Sequence, residues 1–219
     1  MVEIEDDAQG SDLWKRTRCG QASASKMGAI MAKGRDGKPS ATRANIMADI
    51  IAERLTGVPI EGYQSADMKW GIENEPKARD LYAFMTNTEP TLAKYVPHPT
   101  IPFSGASPDG YVGDDGLIEI KCPKISGHLS TLLGGSIDGG YILQMQWQLA
   151  CTGRQWCDFV SFSPLLPVHM QLFRKRIHRD PVKIVEMQRE VIQFLSEVDA
   201  KLAELKARFP FPEQAQAAE

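Results

Sequence analysis

The chain has 219 residues, 42% of them hydrophobic and 24% charged, and a formal net charge of −3. That length and composition suit one globular domain able to bury a full core without disulfides. They exclude a helical membrane protein, because no apolar run approaches the length of a span. They also exclude a protein that meets polyanions through its overall field, so any such partner must find a local basic patch.

Glu3, Glu5, Asp6 and Asp7 make residues 1–12 acidic, unlike a secretory leader, and expected to be mobile. Residues 13–209 read as one domain, followed by a short tail, 210–219. Cys19, Cys122, Cys151 and Cys157 lack metal-type spacing and read as reduced thiols of a cytoplasmic protein. Ser23-Ala24-Ser25 reads as the cap of a helix carrying Met27, Ile30 and Met31. Lys33-Gly34-Arg35-Asp36-Gly37-Lys38-Pro39 is a glycine-broken basic loop, either simply solvated or a contact to a phosphate backbone.

The spacing predicts an amphipathic helix over residues 40–56, with Ile46, Ile50, Ile51 and Leu55 buried and Gly57 and Pro59 as its stop. A second helix is predicted over residues 66–86, where Gly71, Glu75, Ala78, Tyr82 and Met85 share a face. Glu75 thereby sits among residues that want burial, and an inward carboxylate needs an ionic partner or a metal. The competing reading puts Pro76 in the first turn of a helix, with Glu75 favouring the positive end of its dipole.

Residues 91–96 and 101–106 read as strands leading into the densest motif of the chain, Ser107-Pro108-Asp109-Gly110 through Glu119-Ile120-Lys121-Cys122-Pro123. The β-branched run 117–122, bounded by Gly116 and Pro123, reads as a strand with Glu119 and Lys121 on one face and Ile118 and Ile120 on the other. A three-residue hairpin loop, Asp114-Asp115-Gly116 with Gly116 left-handed, would set Asp109 opposite Lys121 and Tyr111 opposite Glu119. Asp109, Glu119 and Lys121 would then converge, whereas a two-residue loop would turn Asp109 away.

Beyond the motif, residues 126–133 read as a short helix. Gly134-Gly135 and Gly139-Gly140 read as turns, since both lack the lysine and spacing of a phosphate-cradling loop. In a helix over residues 141–152, Ile142, Gln146 and Leu149 share a face, placing Gln146 near the sheet and leaving Gln144 and Gln148 to solvent. Residues 156–162 and 168–174 read as further strands, and Lys175, Arg176, His178 and Arg179 as a solvated end. Asp180-Pro181 opens a last helix whose seam, Ile184, Val191, Leu195, Val198, Leu202 and Leu205, is expected to pack on the domain's own core. The histidines form no ligand cluster.

Two carboxylates and a lysine converging at a sheet edge suit metal-assisted hydrolysis of a phosphodiester. Carboxylates take Mg²⁺, a hard cation that keeps several waters. Lys121 could orient or deprotonate the attacking water and neutralise developing charge. Phosphate-ester hydrolysis is among the slowest uncatalysed reactions, so metal, lysine and positioning must act together.

At these residues the chain resembles a known family. Pro108-Asp109 with Glu119-Ile120-Lys121 is similar to the PD-(D/E)xK nuclease signature of the restriction-endonuclease-like fold. The wider set resembles the phage lambda exonuclease (YqaJ-like viral recombinase) family: residues 14–20, Ala22-Ser23-Ala24-Ser25, Trp70-Gly71 through Glu75, Ser107 to Gly110, Glu119 to Pro123, and Gln144-Met145-Gln146. The resemblance implies an α/β (α+β) fold, a restriction-endonuclease-like core with a central mixed β-sheet flanked by helices. It implies one or two Mg²⁺ ions per site, with Mn²⁺ as substitute, held by Asp109, Glu119, the Ile120 carbonyl and, through water, Glu75. Lys121 would be the catalytic lysine. Arg18, Ser25, Ser107 and Gln146 would form a pocket for a 5′-phosphate, a set able to supply the donors such a group needs. Arg35, with Lys33 and Lys38, would contact DNA. The implied activity is 5′→3′ digestion of double-stranded DNA ends to 5′-mononucleotides, leaving 3′ overhangs for recombination. A ring-shaped trimer, a single-strand annealing protein as partner, and a phage or prophage protein in a bacterial cytoplasm belong to the same implication. Two rival readings are an endonuclease on the same fold and a non-catalytic DNA-binding or assembly module; retention of every ligand and the lysine speaks against the second.

Overall fold

A computed structural model describes residues 9–35, 37–60, 65–134 and 136–210. Most of the acidic N-terminal segment and of the C-terminal tail lie outside the described residues. Seven helices and seven strands are found among the described residues. They run α1 Asp12–Arg18, β1 Ala22–Ser23, α2 Met27–Ile30, α3 Ala41–Thr56, α4 Ala66–Thr86, β2 Val96–Pro97, β3 Ser104–Ala106, β4 Gly110–Val112, β5 Gly116–Lys121, α5 Ile125–Gly134, α6 Gly139–Thr152, β6 Trp156–Phe162, β7 Leu172–His178 and α7 Pro181–Arg208.

The main sheet has the order β4-β5-β6-β7, and a smaller one the order β1-β3-β2. The β4–β5 and β6–β7 pairs are antiparallel while β5–β6 is parallel, so the sheet is mixed. A parallel pair needs a long crossover, and α5 and α6 supply it. The side chains of β5 alternate as a strand requires. Ile118 and Ile120 enter a cluster with Ala78 and Tyr82 of α4. Leu117 enters one with Met145 and Leu149 of α6. Glu119 falls on the α6 side, and the sheet is flanked by one helix on each face. A third cluster gathers the inner sides of α2, α3, α6 and α7 around Ile50, Trp147, Met187 and Phe194.

The hairpin differs from expectation by one step. Val112 pairs with Gly116, so the three-residue loop is Gly113-Asp114-Asp115 and the left-handed residue is Gly113, at φ 54°. The register moves by two residues, setting Asp109 in line with Glu119 rather than Lys121, and parity keeps both on one face. Gly116 is required for another reason: a Cβ there would lie 2.1 Å from the Trp156 ring.

Other expectations change with packing. Residues 91–96 and 101–106 shrink to β2, β3 and a single bridge from Thr91 to Tyr111. Gly139-Gly140 is no turn but the first turn of α6, capped by the Asp138 carboxylate accepting from Gly140 N at 2.8 Å. Residues 168–170 form a short 3-10 turn. Lys175 and Arg176 lie inside β7, and Arg176 holds the buried Asp158 carboxylate through two hydrogen bonds of 2.8 and 2.9 Å. Pro76 lies in mid-helix, so the dipole reading of Glu75 fails. Leu55 and Met85 face solvent, while Met47 joins the α3 stripe. Ser23 gives no side-chain cap. The seam of α7 packs on the domain's own core from Ile184 to Leu202, joined by Met187 and Phe194, while Leu205 is exposed.

Gly116→Ala is expected to lower unfolding stability by about 1–3 kcal/mol, because the methyl must displace a packed indole. Gly113→Asn should cost less, since asparagine tolerates the left-handed turn. Urea denaturation of both variants checks the difference.

Candidate active site

A cleft of about 220 Å³ opens at the end of the main sheet, lined by Arg18, Ser25, Glu75, Ser107, Asp109, Glu119, Ile120, Lys121 and Gln144. Strand β5 brings Glu119 and Lys121 to it, the entry to β4 brings Asp109, α4 brings Glu75, and α6 brings Gln144. The end of α1 and the turn after β1 add Arg18 and Ser25.

Glu119 is wholly buried, and both oxygens of its carboxylate have partners. Oε1 accepts from Gln144 Nε2 at 2.7 Å and meets Lys121 Nζ at 2.5 Å. Oε2 accepts from Gln148 Nε2 at 2.6 Å. Asp109 Oδ2 accepts from the Ile120 amide at 2.7 Å, stitching β4 to β5 beside the acids. Glu75 does not reach these oxygens directly; its Oε1 is held at 2.6 Å by Arg79, which also donates to the Asp109 carbonyl. Lys121 Nζ stands 4.9 Å over the Tyr141 ring.

Beside the acids lies a cationic grip. The Arg18 guanidinium stacks 4.0 Å over Trp14 and donates to Ser25 Oγ at 2.9 Å and Ser23 Oγ at 3.3 Å. Trp14 Nε1 donates to Ser107 Oγ at 3.0 Å, so one indole braces both the arginine and the serine.

Gln146 is not part of this cleft. Its Nε2 donates to the His178 carbonyl and its Oε1 accepts from the Asp180 amide, clamping the junction of β7 and α7. The two glutamines assigned to solvent, Gln144 and Gln148, are the ones that reach Glu119. Their four-residue spacing put both on one helical face, which was a usable signal. Arg79 stands in the same relation to Glu75. Trp14 and Tyr141 carried no such signal. Lys33, Arg35 and Lys38 lie outside the cleft, on a loop closed by a Lys33–Pro39 bridge; Arg35 is exposed and Lys33 pairs with Glu190 at 3.8 Å.

The residues present fit a hard cation. Asp109, Glu119 and the Ile120 carbonyl offer oxygen alone, as Mg²⁺ prefers. Asp109 Oδ1 has no hydrogen-bond partner among the described residues. Among the described residues no three His, Cys, Asp or Glu groups cluster there as a ready-made cage, so water must complete any coordination.

Residues 13–155 match the YqaJ-like viral recombinase domain. The chain belongs to that family. The chain is similar to the alkaline exonuclease LHK-Exo of Laribacter hongkongensis, at 45% identity and TM-score 0.85 over 90% of this chain and 97% of that one. The same figures hold for LHK-Exo in complex with dAMP. A phage-related exonuclease of Haemophilus somnus 129PT shares the fold at 19% identity and TM-score 0.69, covering 84% of this chain and 96% of that one. No curated protein matches the chain.

Electrostatics in the cleft depend on pH. Burial, then the charges of Glu119 and Glu75, push the Asp109 carboxyl well above the usual range. Burial also raises Glu75, against the pull of Arg79. Burial lowers the Lys121 ammonium, but Glu119 and Asp109 outweigh it and leave the group raised and charged. A raised carboxyl means the folded state holds its proton more tightly, so the stability this proton confers is lost as pH rises through the raised value. The lysine contribution is complete below its ordinary value and fades only at strongly alkaline pH. In EDTA, Asp109→Asn is therefore expected to gain stability over wild type near neutral pH, an advantage that shrinks towards about pH 4. Denaturant melts across that range check it.

Proposed function

We propose that this protein is an Mg²⁺-dependent 5′→3′ exonuclease of double-stranded DNA ends, releasing 5′-mononucleotides and leaving 3′ overhangs for recombination. The observation that carries the reading is the sharing of one cleft by the acid–lysine cluster and the Arg18–Ser25–Ser107 grip. The acids and lysine suit cleavage of a phosphodiester, and the grip suits a terminal phosphate held beside it. Likeness to LHK-Exo, an alkaline exonuclease solved with the nucleoside 5′-monophosphate dAMP, supports the same reading.

Asp109, Glu119 and the Ile120 carbonyl would hold Mg²⁺, with Glu75 acting through water. When bound, the ion neutralises phosphoryl charge and acidifies water. The Lys121 ammonium, fixed against Glu119, donates to a non-bridging phosphoryl oxygen as charge develops and orients the attacking water. Attack on the phosphorus between the first and second nucleotides breaks its bond to O3′ of the first. That nucleotide leaves with its own 5′-phosphate, and the shortened strand carries a new one. Arg18, Ser25 and Ser107 hold the terminal phosphate, so each cleavage regenerates the end that the grip recognises. Arg18 offers a fork of donors pre-set by Trp14, which suits phosphate better than a point charge would. The basic loop with Lys33, Arg35 and Lys38 would follow the duplex backbone.

A ring-shaped trimer and a single-strand annealing partner extend the reading.

Digestion of end-labelled linear duplex with Mg²⁺ should release mononucleotides from the 5′ ends, stop in EDTA, and spare closed circles; rapid nicking of circles would favour an endonuclease instead. Lys121→Ala should reduce the rate by about a thousandfold or more while duplex binding persists; a near-wild-type rate would remove the lysine from the chemistry. In the wild type, phosphorylated ends should be digested faster than hydroxyl ends, and Arg18→Ala should erase that preference.

A further inference from the structure

Gln148 lies one helical turn beyond Gln144 on α6, fully buried, with its Nε2 on Glu119 Oε2 at 2.6 Å. Its own Oε1 is buried and accepts nothing among the described residues. A buried carbonyl without a donor weakens a fold, and an apolar side chain of the same length would avoid that loss. Turning the amide over would set two oxygens against each other, so the orphaned carbonyl is inseparable from the hydrogen bond to Glu119. The structure therefore carries a local cost for the sake of one contact to one carboxylate.

That contact has a geometric consequence. Each carboxylate oxygen offers two lone pairs. On Oε1, Gln144 and Lys121 take both, at 2.7 and 2.5 Å. On Oε2, Gln148 takes one and leaves one. With amides gripping both oxygens, the carboxylate cannot rotate to present its two oxygens side by side.

We infer that Gln148 is a positioning residue for the metal site: with Gln144 it locks Glu119 so that the carboxylate meets a cation through Oε2 alone. Coordination by one oxygen suits Mg²⁺ and Mn²⁺, which require near-octahedral geometry, and disfavours Ca²⁺, which gains from two-oxygen carboxylates and higher coordination numbers. The inference rests on the reading of Asp109 and Glu119 as metal-binding. It adds that a residue touching no cation sets which cation the site prefers, as groups that orient metal ligands commonly do.

The test needs neither DNA nor turnover. Mn²⁺ binding to the full chain is followed by electron paramagnetic resonance, with Ca²⁺ as competitor, for wild type and Gln148→Met. Wild type should bind Mn²⁺ and resist displacement by Ca²⁺. Gln148→Met should bind Mn²⁺ about tenfold more weakly or worse, and its preference for Mn²⁺ over Ca²⁺ should narrow. Unchanged affinity and preference in the variant would overturn the inference alone; a wild type that binds no Mn²⁺ would instead sink the metal reading beneath it. Should the variant not fold, anomalous diffraction from wild-type crystals containing Mn²⁺ decides the matter. Coordination by Oε2 only, with Gln148 unmoved, supports the inference, and coordination by both Glu119 oxygens overturns it.

Discussion

A carboxylate with no solvent exposure, Glu119, sits on an interior strand, and the arrangement of the fold around it follows from what such a group requires. An ionised carboxylate taken out of water costs several kcal/mol unless paired and fully hydrogen-bonded. Here the compensation is one ammonium from the same strand and two amides from α6. Those amides reach it because β5 and β6 are parallel, which obliges the chain to cross over and lay α6 along the sheet. The crossover thus provides both the connection and the donors. Loss of α6 packing would leave a buried charge without partners, so the site and the core stand or fall together.

The neighbouring strand shows the alternative. Asp158, also without exposure, lies in register with Ile118 and so faces α4. It accepts from Tyr82 and from Arg176, with Arg174 nearby at 3.6 Å. Guanidinium groups fixed by a fork of hydrogen bonds leave such a carboxylate nothing to offer a further cation. The two buried acids stand on opposite faces of the sheet and differ in what is left over: Asp158 is saturated by permanent charge, whereas Glu119 and Asp109 retain lone pairs at a cleft open to solvent. Burial alone does not distinguish a structural acid from a reactive one; the residual valence does.

The arginine–serine grip shows the same economy of parts. Trp14 stacks under Arg18 and donates to Ser107, 93 positions further along the chain, so one ring braces both. Pre-set donors lose less freedom on meeting a ligand than free side chains do. Grip and acids line one cleft, so a group held by the one lies beside the other.

Much of this was legible in the residues. Helices α3 and α4 and strand β6 follow from periodicity and caps, and the convergence of Asp109, Glu119 and Lys121 follows from alternation and hairpin parity. Parity survived even though the loop moved by one residue, because a shift of two in register keeps every side chain on its face. The glutamines were not legible: Gln146 lies on a different side of α6 from Gln144 and Gln148, the helix is buried on almost all sides, and polarity suggested solvent for the two that reach Glu119. What the sequence by itself determined is which residues share a strand face or a helical stripe, since those periods are properties of the local backbone. Only the tertiary structure decided which glutamines serve Glu119 and which one clamps the β7–α7 junction. The rotation of α6 against the sheet, set by packing of Met145, Leu149 and Trp147 on elements far away in the chain, aims each amide at its partner.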